Sequence, residues 1–274
     1  MPGTILRFAP SPNGHLHLGH AYSALFTEFW ARRLGGQFLL RLEDTDIERC
    51  KPEFTDAIYE DLHWLGLDWP EPVMVQSERF AIYSAAARRL GELDLLYPCD
   101  CTRQEIMARS PGTDPDGAPF YDGKCRLHGP VGGRPVQMRL DLQRAMALTG
   151  PLSFTQAQPT PLDRPQIRYA RPALWGDVVL QRKATPTSYH LSVMVDDAAQ
   201  GITHVTRGRD MEPSTDIHVL LQMLLGLPQP IYTFHKLILD ADGQKLSKSK
   251  TSPSLRDLRA AGRTPESIRT ELGF

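Results

Sequence analysis

The 274-residue chain is short of cysteine, has no long apolar run and carries no surplus of charge of either sign. Four cysteines are too few to frame a secreted disulfide scaffold of this length. The longest apolar stretch, Val219 to Leu225, is broken by Gln222 and falls far below a membrane span, so no membrane partner is expected. The N-terminus lacks the basic n-region and long apolar h-region of a secretory leader, which makes the cytoplasm the expected location. Lys and Arg number 31 against 32 Asp and Glu, a formal charge of -1, so no overall basic field holds nucleic acid and such a partner has to be gripped locally. What is present, 41% hydrophobic and 23% charged residues without internal repeats, is a globular composition. The length suits one compound domain that carries an insertion.

The chain opens with an apolar run, Ile5 to Ala9, then Pro10-Ser11-Pro12-Asn13-Gly14, then apolar residues at helical spacing from Leu18 to Leu34. Gly35-Gly36 end that helix, and Gln37 to Leu42 reads as a second strand with the acidic exit Glu43-Asp44-Thr45-Asp46. Strand, helix and strand in this order predict a right-handed β-α-β unit whose loop ends gather at one edge. Helical patterns follow at Phe54 to Leu65 and Glu78 to Leu90. From Tyr97 to Pro135, Pro and Gly are frequent and apolar periodicity is lost, which marks an insertion. Strand-like runs return at Val136 to Leu140, Asp177 to Gln181 and His190 to Val195, before a strongly apolar helix at Ile217 to Leu225. Ile231 to Leu239 alternates as a strand, Asp240 to Gly243 turns, Gln244 to Lys250 forms a basic loop, and Thr264-Pro265-Glu266 opens a last helix.

Two segments carry chemistry. Around His17-Leu18-Gly19-His20 the helix start offers unpaired amides and partial positive charge, the glycine lets a flat base or a phosphate approach, and both imidazoles can donate to phosphate oxygens. The spacing also suits a zinc pair, but the carboxylates that accompany one on zinc helices are missing. In Lys245-Leu246-Ser247-Lys248-Ser249, two lysines among hydroxyl residues can wrap a triphosphate and neutralise charge as pyrophosphate leaves. Singly, the first can be two neighbours of a helix start and the second a solvated loop. Together and in this order they resemble the paired HIGH and KMSKS signatures of class I aminoacyl-tRNA synthetases. Arg7 to Ser11, Arg41 to Asp46, Thr187 to Leu191, Val195 to Asp197 and Gly201 to Gly208 are similar to the glutamyl-tRNA synthetases, and Ala9-Pro10-Ser11 favours that branch over the glutaminyl enzymes.

The resemblance implies an α/β fold, a Rossmann-like parallel sheet with a zinc-containing insertion and a short helical C-terminal region. It implies catalysis by His17, His20, Lys245 and Lys248, with ATP held by His17, Gly19, His20 and Lys248. L-glutamate is then expected among Arg7, Phe8, Ala9, Pro10, Ser11, Glu43, Tyr189 and Arg207. Free glutamate presents two carboxylates and one ammonium, so its pocket needs two cationic or donor groups and one anionic partner. Arg7 and Arg207, aided by Tyr189, suit the carboxylates, and Glu43 and Ser11 suit the ammonium; which arginine takes which carboxylate stays open. Magnesium is expected as the counterion of ATP rather than in a cage made by the protein.

Cys99-Asp100-Cys101, Cys125 and His128 cluster in the insertion, where thiolates can hold a tetrahedral zinc that shapes a loop-rich segment; three reduced thiols without a metal are the alternative. The resemblance implies a site of Cys99, Cys101, Tyr121 and Cys125, with His128 as the more ordinary choice for the fourth ligand. Cys50 stands apart as a filler.

Only 25 residues follow Ser249, too few for the anticodon-binding domain of complete glutamyl-tRNA synthetases. A catalytic unit without that domain resembles the glutamyl-queuosine tRNA(Asp) synthetases, a stand-alone branch of the family. This implies activation of glutamate to glutamyl-AMP without tRNA, then transfer of glutamate to queuosine in the anticodon of tRNA(Asp). The alternatives are an accessory glutamyl-tRNA synthetase that charges the tRNA 3′ end and a non-catalytic amino-acid sensor. The expected division is 1–97 and 186–235 as halves of the catalytic domain, 98–185 as the insertion that binds zinc and contacts the acceptor RNA, and 236–274 as the lysine-bearing loop and helical region. A monomer is expected.

Overall fold

The computed structural model describes residues 3–158, 164–239, 243, 246 and 253–274. Its strands are β1 (Ile5–Phe8), β2 (Gln37–Leu42), β3 (Met74–Val75), β4 (Leu96–Cys99), β5 (Gln137–Leu140), β6 (Ser153–Gln156), β7 (Gln166–Tyr169), β8 (Val179–Gln181), β9 (His204–Gly208) and β10 (Ile231–His235). Its helices are α1 (Leu18–Arg33), α2 (Pro52–Trp64), α3 (Phe80–Glu92), α4 (Arg103–Arg109), α5 (Lys124–His128), α6 (Leu142–Thr149), α7 (Tyr189–Ala199), α8 (Thr215–Leu225), α9 (Leu255–Ala260) and α10 (Pro265–Leu272).

The opening β-α-β unit is present, with β1 parallel to β2 and Arg7 opposite Leu39. Gly36 begins the return into β2 because a side chain there would lie 2.6 Å from the Thr4 carbonyl oxygen. Leu6, Leu25, Phe38, Ile58, Leu62 and Leu255 share one core, which locks α1, α2 and α9 onto these strands. The second half runs β7-β6-β10-β9, with β9 and β10 parallel and Arg207 opposite Phe234. The halves join side by side: the Thr203 amide donates to the Ile5 carbonyl at 3.0 Å and the Ile5 amide donates to Thr203 Oγ1 at 2.9 Å. Loops leaving β1 and β9 therefore diverge from one seam, the place where α/β sheets open a crevice. A second core combines Tyr83 of α3, Leu191 of α7, Leu221 of α8 and Phe234 of β10 with Leu140, Trp175 and Leu180 of the inserted segment.

The run His190 to Val195 is helical rather than a strand. Its apolar residues are buried on several sides of α7, so the helical period is hidden and the run imitates a buried strand. The β6-β7 hairpin was not foreseen because prolines crowd the segment that joins its strands. β10 stops at His235, short of Leu239. Inside the insertion, Thr102 and Glu105 form a capping box that starts α4 where periodicity is weak. No helix among the described residues is long and apolar enough to cross a membrane.

Candidate active site

His17 is the N-cap of α1. Its Nδ1 accepts from the Gly19 amide at 3.1 Å, while His20 Nδ1 accepts from the His17 amide at 3.1 Å. The two imidazoles thus form a reciprocal capping box where Ser or Thr and Glu or Gln usually stand. Their rings lie 3.8 Å apart. A neutral imidazole that accepts through Nδ1 carries its proton on Nε2, so each ring presents an N–H donor on the edge opposite the cap. A side chain on Gly19 would come within 3.0 Å of His17 Cε1. The first turn of α1 holds no acidic residue, so its positive end is left for an outside anion.

A cleft of about 640 Å³ opens at the seam of the two halves. Arg7, Phe8, Ala9, Pro10, Ser11, His17, Gly19, His20, Glu43, Tyr189 and Arg207 all line it, so eleven residues singled out in the sequence converge there. Asp210, Met211, His235 and Lys236 also line it and drew no attention in the sequence. Lys245 and Lys248 lie outside the described residues; Leu246, between them, is buried against the same cleft.

At the inner end, charges are paired across distant parts of the chain. The Arg7 guanidinium grips Asp197 through Nε at 2.9 Å and Nη2 at 3.3 Å. Arg41, fully buried, donates to Asp197 at 2.7 Å, to Gln200 at 3.0 Å and to Glu43 at 2.9 Å. Burial alone would raise the Asp197 carboxyl, but Arg7 and Arg41 hold it below the usual carboxylate range. Burial pushes Glu43 up, and Arg41 opposes it. Arg41 and Asp197 fall within the segments that carry the resemblance, which implies no task for either. The available signal was a lone charge inside the apolar strand Phe38-Leu39-Leu40-Arg41-Leu42, which demands a buried partner.

Arg207 differs. It is 6% exposed, and its guanidinium is held by His218 Nδ1 at 3.1 Å and Thr215 Oγ1 at 2.6 Å, with no carboxylate partner among the described residues. His218 accepts from Arg207 and so donates through Nε2 to His190 Nδ1 at 3.3 Å, a chain of neutral rings behind the cation. Burial, reinforced by Arg207, drives His218 well below its ordinary value. Among the described residues, the guanidinium groups of Arg7, Arg41 and Arg207 face the carboxylates of Asp197 and Glu43, which leaves this group of five with one positive charge over; Asp196 behind it is paired with Arg79. The side chain of Tyr189 closes this end, its ring 5.5 Å from that of His218.

In the insertion, the Sγ atoms of Cys99, Cys101 and Cys125 all lie within 4.8 Å of one another. The Tyr121 hydroxyl is 3.4 Å from Cys99 Sγ and 3.9 Å from Cys101 Sγ, whereas His128 is exposed. Zinc–sulfur bonds of about 2.3 Å place tetrahedral sulfurs about 3.8 Å apart, so this donor set suits zinc without large movement. Burial opposes ionisation of Cys99, yet its hydrogen bonds with Tyr121 and Arg139 bring it down to about 7. Arg139 also lies 3.8 Å over the Tyr121 ring, and Gly176 leaves room for the Tyr121 backbone, 2.5 Å from where a side chain would begin.

A family profile described as tRNA synthetases class I (E and Q), catalytic domain, matches residues 4–273. A glutamyl-Q tRNA(Asp) synthetase of Rhodobacter capsulatus is 44% identical over 98% of this chain and 100% of its own length. A glutamate-tRNA ligase of Oleidesulfovibrio alaskensis is 39% identical over 98% of this chain and 56% of its own. The crystal structure of a glutamate-tRNA synthetase from Elizabethkingia anophelis superposes with a TM-score of 0.69 at 28% identity, covering 95% of this chain and 54% of that one. The chain therefore spans a little over half the length of the glutamate-tRNA ligases that it matches. It belongs to the class I (E and Q) tRNA synthetase family, whose catalytic domain it carries, and it is an enzyme of the ligase class.

Proposed function

We propose that the protein activates L-glutamate with ATP to glutamyl-AMP without tRNA and then transfers glutamate to queuosine in the anticodon of tRNA(Asp). The observation that carries the first half is the single uncompensated positive charge at the inner end of the cleft, centred on Arg207. Free glutamate carries two negative charges and one positive, so it balances that end, whereas glutamine leaves a buried cation unpaired. Because Asp197 occupies Arg7, Arg207 is the stronger carboxylate ligand, and Glu43 faces the ammonium. The Nε2–H edges of His17 and His20 donate to phosphate oxygens at the start of α1, and Lys245 and Lys248 neutralise the departing pyrophosphate. In-line attack of the α-carboxylate on the α-phosphate needs little covalent help; orientation and charge stabilisation supply the rate. Magnesium travels with ATP. Zinc on Cys99, Cys101, Tyr121 and Cys125 shapes the insertion and takes no part in the reaction.

The full-length similarity to a glutamyl-Q tRNA(Asp) synthetase supports the second half, in which a hydroxyl of the queuosine cyclopentenediol attacks the activated carbonyl, forms an ester and displaces AMP. Incubation with labelled glutamate, ATP and tRNA(Asp) with or without queuosine, followed by nuclease digestion, tests it. Label is expected on the anticodon fragment of queuosine-containing tRNA alone. An ester on the 3′-terminal adenosine would establish the accessory charging enzyme instead.

A further inference from the structure

β7 is an edge strand, and all four of its residues are exposed, Ile167 by 64% and Tyr169 by 75%. Residues 164–176 contain Arg164, Arg168 and Arg171 and no acidic residue, a local excess in a chain whose overall charge is -1. Arg168, Tyr169 and Arg171 line a recess of about 140 Å³ with Arg209 and Glu212. Glu212 approaches Arg168 at 3.7 Å, and Asp216, which also lines the recess, accepts from the Arg171 amide at 2.9 Å; no carboxylate is in an ion pair with the guanidinium of Arg171 or Arg209 among the described residues, so the three arginines outnumber the two carboxylates. The recess and the active-site cleft are two sides of one turn: Gly208, Asp210 and Met211 line the cleft, and Arg209, Glu212 and Pro213 line the recess.

An edge strand with unpaired backbone groups and two large apolar side chains in water is a liability for a protein working alone. Arginines that flank an exposed tyrosine have a different use. Guanidinium groups hold phosphates, and an aromatic face stacks an unpaired base regardless of its identity. We infer that the outer face of β7 is a contact for single-stranded RNA beside the cleft, with Tyr169 stacking on an unpaired base and Arg168, Arg171 and Arg209 on the backbone. The inference rests on the reading that the substrate is an RNA with an exposed loop, and it locates the local grip that a near-neutral chain requires.

The test uses the full chain and queuosine-containing tRNA(Asp), comparing wild type with Tyr169→Ala, Tyr169→Phe and the pair Arg171→Gln with Arg209→Gln. Binding is measured across a salt series, and glutamate-dependent ATP–pyrophosphate exchange is measured without tRNA. Tyr169→Ala is expected to weaken tRNA binding about fivefold or more, with Tyr169→Phe near wild type. The arginine pair is expected to lower the slope of log affinity against log salt by about 0.7 to 0.9 per residue. Exchange stays unchanged in every variant. Wild-type tRNA affinity and salt slope in both Tyr169→Ala and the arginine pair overturn the inference. So does a concentration-dependent dimer that Tyr169→Ala abolishes, which would assign the edge to a second copy of the chain. If wild type binds tRNA with the expected variant effects yet transfers no glutamate, the reaction reading fails and the RNA surface stands. If wild type transfers glutamate while the variants bind as wild type does, the reverse holds, and a wild type that binds no tRNA sinks both.

Discussion

Arg207 is held by His218 and Thr215 and lies near the Tyr232 and Phe234 rings, with no carboxylate partner among the described residues, so its buried charge costs free energy that a glutamate carboxylate would offset on the proposed function. Hydrogen bonds to charged groups contribute about 1.5 to 3 kcal/mol. Arg207→Ala is therefore expected to raise the glutamate KM in pyrophosphate exchange by about 10- to 150-fold, with a smaller effect on kcat and on the ATP KM. An unchanged glutamate KM removes Arg207 from the pocket. The histidine pair caps α1 and, on the proposed function, also donates to phosphate, and conservative variants separate the two tasks. His17→Asn and His20→Gln retain capping groups, so the thermal midpoint should hold while kcat falls; equal loss of stability and activity would mean that the imidazoles only cap. Acid exposes the rings behind Arg207. Burial brings His190 down to about 4 and His218 well below its usual value, so below about pH 6.5 the unfolded chain binds protons that the fold refuses, at His190 until about pH 4. Their contribution is thus complete above pH 6.5 and is lost as pH falls toward 4. Denaturant melts at pH 7.5, 5.5 and 4.5 should show a steeper acid decline in wild type than in His190→Gln; parallel declines would exclude these rings as the cause. Eleven residues lining the cleft are legible because the resemblance names them one by one, whereas Asp210, Met211, His235 and Lys236 stand in no motif quoted for it. The grip of Arg41 on Asp197 is not legible, since no local pattern announces a pairing across 156 positions.

The elements differ in what holds them. The cysteine cluster packs with Ile106 and Tyr97 as a small core of its own, apart from the two larger ones. On the proposed zinc site, chelation or Cys101→Ser is expected to speed amide exchange in α4, α5 and β4 while α1 and α7 stay protected and pyrophosphate exchange is retained. Loss of protection in all five elements would show that the insertion and the cleft fold as one unit. Legibility of the elements followed their periodicity. The β-α-β opening has both a strand period and a helical one, reinforced by glycine and proline signals. The sequence pattern of α7 imitates a strand because burial on several sides erases the polar face that marks a helix, and the β6-β7 hairpin is hidden by the prolines that join its strands.

For the molecule as a whole, the cleft exists because residues 7–43 and 189–236 meet at the β1-β9 seam, a juxtaposition that composition and spacing do not contain. Only the order of the motifs carried it. The charge left over at that seam is the central feature, and amino-acid choice reads it most directly. Glutamate-dependent ATP–pyrophosphate exchange should be run without tRNA, with L-glutamate, L-glutamine and L-aspartate side by side. Exchange with L-glutamate and little with the other two is expected. No exchange with glutamate, or equal exchange with glutamine, would contradict a cleft balanced by one net negative charge.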